Sequence, residues 1–156
     1  MGSGSTPGAD PAEGAHNRMP DAVRDGAARH VHLIAICGVA MSALAGMLKQ
    51  RGYVVSGSDE NVYPPMSTQL ERWGIEVMTP YRPENLERAQ PDLVVVGNVV
   101  RMVNPEATAM RERGLRHVSF PQALGDLFIA PRHGVVVVGT HGKTTATAMI
   151  DRKSVV

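Results

Sequence analysis

An α/β protein, with a parallel sheet covered by helices on both faces, is predicted by three features of this chain. Short apolar runs alternate with helical patterns from residue 31 onward, at the spacing of repeated strand–helix units. Proline and glycine punctuate that alternation where helices should start and stop. Late in the chain, four consecutive valines lead into a glycine-rich loop, which reads as a strand feeding a phosphate-binding turn.

Each element has its own warrant. Gly, Ala, Ser, Pro and Asp dominate the first 28 residues, with hardly any large apolar side chains. Residues 1–30 are therefore expected to be a disordered tail, unable to bury enough surface to offset the entropy of ordering. Five strand–helix pairs follow at 31–36 with 41–51, 53–56 with 66–73, 75–78 with 83–89, 93–96 with 105–113, and 117–119 with 121–128. Pro83, Pro105 and Pro121 suit first helical turns, and Gly52, Gly74 and Gly114 suit helix ends. Residues 31–130 thus form one Rossmann-like domain. Residues 130–133 read as a linker into a second domain, 131–156, which opens with a buried strand at 135–138.

Composition narrows the function classes. A hydrophobic content of 43% suits a chain with a real core, and the scarce aromatics (4%) leave Met and Val to fill it. A net charge of +1 without a basic run argues against nucleic acid as a partner. The single Cys37 fits a reducing compartment. No apolar stretch reaches membrane-spanning length and no signal-peptide core is present, so the expected location is the cytoplasm, with no membrane partner.

The loop Gly139-Thr140-His141-Gly142-Lys143-Thr144-Thr145 can be read chemically. Gly139 and Gly142 permit a backbone that turns successive N–H groups toward phosphate oxygens. Lys143 adds a positive charge for the terminal phosphates, and Thr144 a hydroxyl for magnesium. His141 reads as a tolerated variable loop position, Thr140 and Thr145 complete the loop, and the helix N-terminus expected at Thr144 favours anions. The spacing is the shorter G-x-x-G-K-T-T, because Val137 stands where the general pattern has its first glycine. ATP with Mg2+ is the implied cofactor, and Lys143 and Thr144 are the candidate catalytic residues.

The first strand–helix turn reads Cys37-Gly38-Val39-Ala40-Met41-Ser42. A dinucleotide fingerprint would need glycines at 35, 37 and 40, where this chain has Ala35, Cys37 and Ala40. Asp59 ends the second strand about twenty residues on, where an acidic side chain can accept from a ribose hydroxyl. A nucleotide-like ligand is the expectation. An NAD(P)-binding module and a non-catalytic nucleotide-sugar-binding protein remain alternatives.

The order Cys-Gly-x-x-Met-Ser, Gly-Ser-Asp, Gly97-Asn98 with Asn104-Pro105-Glu106, and Gly-Thr-His-Gly-Lys-Thr-Thr resembles the N-terminal part of the Mur ligases, over residues 31–150. That resemblance implies binding of UDP-N-acetylmuramate. Cys37, Gly38, Val39, Ala40, Met41 and Ser42 would hold its diphosphate, Ser58 and Asp59 would lie near the uridine, and Gly97 and Asn98 would line the same crevice. It implies that residues 139–145 bind ATP, that Thr144 ligates magnesium, and that an acyl phosphate precedes amide formation. Residues 57–68, including Tyr63-Pro64-Pro65-Met66-Ser67-Thr68, resemble the branch that attaches the tripeptide L-alanyl-γ-D-glutamyl-meso-diaminopimelate in peptidoglycan recycling. The branch that attaches L-alanine is the alternative. Only eleven residues follow Thr145. The expectation is therefore a truncated start of the ATPase domain and a polypeptide that is not by itself a competent ligase.

Overall fold

The computed structural model describes residues 29–130 and 134–153. Five strands, β1 (His30–Ile34), β2 (Val54–Ser58), β3 (Glu76–Met78), β4 (Leu93–Val96) and β5 (His117–Ser119), form one parallel sheet in the order β3-β2-β1-β4-β5. Four helices make the crossovers: α1 (Val39–Gln50), α2 (Met66–Arg72), α3 (Pro83–Ala89) and α4 (Pro105–Glu112). After β5, α5 (Phe120–Leu124) runs into a π-helical turn at Gly125–Ile129, and α6 (Lys143–Lys153) follows the glycine-rich loop. The expected α/β class, with a Rossmann-like sheet, is what forms.

Alternation along β1 builds the two layers, because successive strand side chains point to opposite faces. Val31 and Leu33 enter one core with Leu44 and Leu48 of α1, Leu70 of α2, and Leu127 and Phe128. Ile34 enters the other core with Leu86 of α3 and with Ala107 and Met110 of α4. The strand order reverses between β1 and β4, and in open parallel sheets the crevice at that point takes ligands.

The helix ends follow the expected punctuation. Pro83 and Pro105 begin α3 and α4, and Asn104 caps α4 by accepting from the N–H groups of Glu106 and Ala107. Gly46 lets α1 lie directly on the ring of Trp73, where a Cβ would come within 2.6 Å of two ring carbons. No described helix is long and apolar enough to cross a membrane.

Several boundaries differ from expectation, each for a physical reason. β1 starts at His30, because the carboxylate of Asp92 accepts from both the Arg29 and His30 N–H groups and holds the strand's entry. It stops at Ile34, since Ala35 takes a positive φ of 70° and turns the chain. β2 runs on to Ser58, because Gly57 has no side chain to keep it away from Ile36. The expected buried strand at 135–138 is not formed. Val135, Val136 and Val138 are 66%, 84% and 82% exposed, and a strand buried on both faces needs neighbours that the described residues do not place there. Residues 1–28 of the expected tail and residues 131–133 of the expected linker lie outside the described residues.

Candidate functional site

The C-terminal ends of β1, β2 and β4 converge on one crevice. The turn after β1 hangs on β2, since the N–H groups of Ala35 and Ile36 both donate to the Ser58 carbonyl, at 2.8 and 3.1 Å. Asp59 completes the clamp. One of its carboxylate oxygens accepts from the Cys37 N–H at 2.8 Å, and the other accepts from the Asn61 N–H at 3.0 Å. On the other side, β4 approaches so closely that a Cβ on Gly97 would sit 3.1 Å from the Ile34 carbonyl oxygen. Gly97 is thus a residue of close approach.

α1 starts at Val39 behind Gly38, which offers no side-chain cap, and Gly38, Val39 and Ala40 are all exposed. An uncapped helix N-terminus presents free N–H groups and the positive end of the helix dipole. The crevice beside it has a volume of about 350 Å³ and is lined by Ala35, Cys37, Gly38, Asp59, Tyr63 and Tyr81 among others. A second hollow of about 420 Å³ adjoins it over Arg101 and Asn104, and Glu60, Tyr81 and Val99 are walls of both.

Burial shapes the local electrostatics. The Cys37 thiol is pushed up to about 11, first by burial and then by the Asp59 carboxylate. The Tyr81 hydroxyl, 3.5 Å from Asp59, is pushed upward by burial and by that same carboxylate. Both groups are therefore neutral at physiological pH.

Of the residues expected at the site, Cys37, Gly38 and Asp59 line the crevice, and Asn98 is exposed in the turn beyond β4. Ser58 is fully buried and contributes its carbonyl to the turn, while its hydroxyl points beneath it. Met41 and Ser42 turn inward, since the third and fourth residues of α1 face the sheet. Ser42 donates to the Val39 carbonyl and to the Met66 sulfur, both at 3.0 Å. The sequence reading missed Tyr63 and Tyr81 on the walls, and His32 and Glu106 beneath them.

None of residues 139–145 of the glycine-rich loop is among this crevice's lining residues. Gly142 takes a φ of +75° at its end, and its carbonyl accepts the first helical bond of α6, from Ala146. Lys143 folds its ammonium back onto the loop, donating to the carbonyls of Gly139 at 2.8 Å and Thr140 at 3.4 Å. Thr140, His141, Thr144 and Thr145 are exposed. Among the described residues, no three His, Cys, Asp or Glu side chains gather as a metal site.

Known proteins resemble this chain in sequence and fold. The family model "Mur ligase family, catalytic domain" matches residues 30–132. Over 122 residues the chain is 47% identical to the UDP-N-acetylmuramate–L-alanyl-γ-D-glutamyl-meso-2,6-diaminoheptandioate ligase of Haemophilus influenzae, covering 78% of this chain and 27% of that protein. A murein peptide ligase structure from Psychrobacter arcticus superposes with a TM-score of 0.74 at 45% identity, covering 79% of this chain and 25% of that one. A UDP-N-acetylmuramate–alanine ligase structure from Thermotoga maritima gives 0.70 at 30% identity, covering 78% and 28%. The chain spans about a quarter of the length of the curated relatives it matches. A sequence and a fold shared to this degree give one conclusion: the chain belongs to the Mur ligase family.

Proposed function

We propose that residues 30–130 bind UDP-N-acetylmuramate in the crevice at the ends of β1, β2 and β4, as the substrate-holding part of an ATP-dependent ligase. The observation that carries this reading is the pairing of the uncapped N-terminus of α1 with a turn held open by Asp59. The N–H groups at Val39 and Ala40 suit a diphosphate. The carboxylate of Asp59 and the amide of Asn98 suit the hydroxyls of the nucleoside and sugar. Similarity to the tripeptide ligase of Haemophilus influenzae favours a peptide over L-alanine as the incoming amine.

In the same reading, residues 139–145 take the phosphates of ATP. The loop's chemistry fits that group: a flexible ammonium on Lys143, a left-handed Gly142 and an exposed hydroxyl on Thr144 stand at the start of an eleven-residue helix. Lys143 would exchange its two backbone carbonyls for phosphate oxygens, and Thr144 would hold magnesium. When bound, magnesium ATP would supply the phosphoryl group that activates the muramoyl carboxylate for attack by the amine.

Isothermal titration of the chain with UDP-N-acetylmuramate, UDP and NADH tests the substrate reading. Saturable binding of UDP-N-acetylmuramate, weaker binding of UDP and none of NADH is the expected pattern. A flat UDP-N-acetylmuramate titration, or preference for NADH, refutes it.

A further inference from the structure

Beneath the crevice lies a polar cluster that the proposed binding chemistry does not use. Glu106, in the first turn of α4, is fully buried and lines neither hollow. Its carboxylate collects four donors. One oxygen accepts from His32 Nε2 of β1 at 2.8 Å and from Ser58 Oγ of β2 at 2.9 Å. The other accepts from Asn85 Nδ2 of α3 at 2.9 Å and from the Arg82 N–H at 3.3 Å. The bonds run in one consistent direction. With Nε2–H of His32 donating to the carboxylate, its Nδ1 accepts from Ser56 Oγ at 2.8 Å, and Ser56 in turn accepts from His30 Nε2 at 2.8 Å.

A carboxylate buried to this extent is costly unless every lone pair is engaged, and a leucine would fill the space without that cost. The placement of the donors suggests what the cost secures. Asn85 also donates to the Pro80 carbonyl at 3.0 Å, so Glu106 grips the chain on both sides of Tyr81, through Arg82 and through Asn85 to Pro80. Tyr81 is one of three walls common to both hollows and stands against Asp59. We propose that Glu106 is a positioning residue: by tying Arg82 and Asn85 to Ser58, it sets Tyr81 against Asp59 and so fixes the crevice's shape for a nucleotide ligand it never touches. The affinity half of this inference rests on the proposed function, whereas the placement of Tyr81 does not.

Glu106→Gln in the full chain keeps the volume but replaces one oxygen with a donor. If its remaining oxygen serves His32 and Ser58, its NH2 faces the Asn85 and Arg82 donors, and the grip on Tyr81 is lost. With 3-fluorotyrosine incorporated and Tyr81 assigned through Tyr81→Phe, its fluorine resonance should shift in E106Q without any ligand. Asn85→Ala, which leaves three of the four donors in place, should shift the same resonance and serves if E106Q does not fold. Affinity for UDP-N-acetylmuramate should fall roughly tenfold in E106Q. In a Tyr81→Ala background the same change should alter affinity by less than about twofold, since coupled residues are not additive. An unmoved Tyr81 resonance in both variants overturns the proposal, as does an equal loss of affinity with and without Tyr81. Wild-type chain that fails to bind UDP-N-acetylmuramate refutes the proposed function alone, and the fluorine signal still decides the positioning.

Discussion

Two glycines in this fold face the same clash on paper and should respond differently to alanine. A Cβ at Gly57 would stand 2.6 and 2.7 Å from Ile36 Cδ1 and Cβ and 2.7 Å from the Leu33 carbonyl oxygen. Comfortable carbon contacts need about 3.5–4.0 Å, so roughly an ångström of retreat is required. Leu33 belongs to β1, which is bonded to β2 on one side and β4 on the other, so its carbonyl cannot retreat alone. Gly57→Ala should therefore cost at or above the upper end of the ~1–3 kcal/mol typical of overpacking. A Cβ at Gly46 also meets atoms at 2.6 Å, but these are the far ring carbons of half-buried Trp73, which can swing. Alanine within a helix recovers roughly 0.5–1 kcal/mol over glycine, which offsets part of that adjustment. Gly46→Ala should thus stay within about 1 kcal/mol of wild type, leaving a gap of about 2 kcal/mol between the variants. Urea unfolding of both, followed by circular dichroism, measures the gap, while Trp73 emission should shift only in G46A. Equal costs, or a larger cost at Gly46, would show that the rigidity ascribed to β1 is wrong.

Other expectations follow from the same geometry. Asp59→Asn leaves one acceptor oxygen where two N–H groups need one each, which should cost ~1–3 kcal/mol in denaturation. The same variant should lower the Cys37 thiol toward its ordinary value and speed its alkylation at pH 8.5; unchanged alkylation would remove Asp59 as a cause of the shift. Because the folded Cys37 holds its proton up to about 11, its contribution to stability is complete below pH 9 and is lost between 9 and 11, and Cys37→Ser should flatten that limb of a pH–stability curve. His30 is held below 6.5, by burial first and then by neighbouring His32, so the unfolded chain takes up that proton first and stability should fall as pH drops below 6.5; His30→Gln should reduce the slope in urea melts. Asp92 is held below 3.8 by the N–H groups of His30 and Arg29. Its contribution is present above 3.8 and lost as pH falls through the lower folded value, so Asp92→Asn should differ from wild type at pH 7 and converge with it in acid.

Most of the fold was legible because its signals are local. Apolar runs of three to six residues, prolines at first turns and glycines at helix ends marked every strand and helix of the sheet within a few residues. The tetravaline run misled because burial on both faces depends on neighbours, which composition cannot supply; three of its four valines are exposed. At the crevice, Cys37, Gly38 and Asp59 could be named because each stands at a strand end, where open sheets place ligands, whereas Gly97 was named only through the family resemblance. Met41 and Ser42 were read as part of the same turn, yet a helix starting at Val39 already points them inward. Glu106 entered only as part of the Asn104-Pro105-Glu106 motif, with no role of its own. Its spacing held the signal, since Met110 at i+4 and Ala109 at i+3 put it on the buried stripe of α4. His32 gave the matching hint, a polar residue alternating with Val31 and Leu33 in a central strand.

The clamp that Asp59 and the Ser58 carbonyl place on the turn after β1 has a kinetic consequence. Every bond shaping that turn is made by the protein to itself, so the cavity's outline exists before anything enters it. A molecule arriving there meets a rigid mould and need not order a loop. Little conformational entropy is then surrendered on docking, and the association rate should be set by encounter and orientation rather than by an opening step.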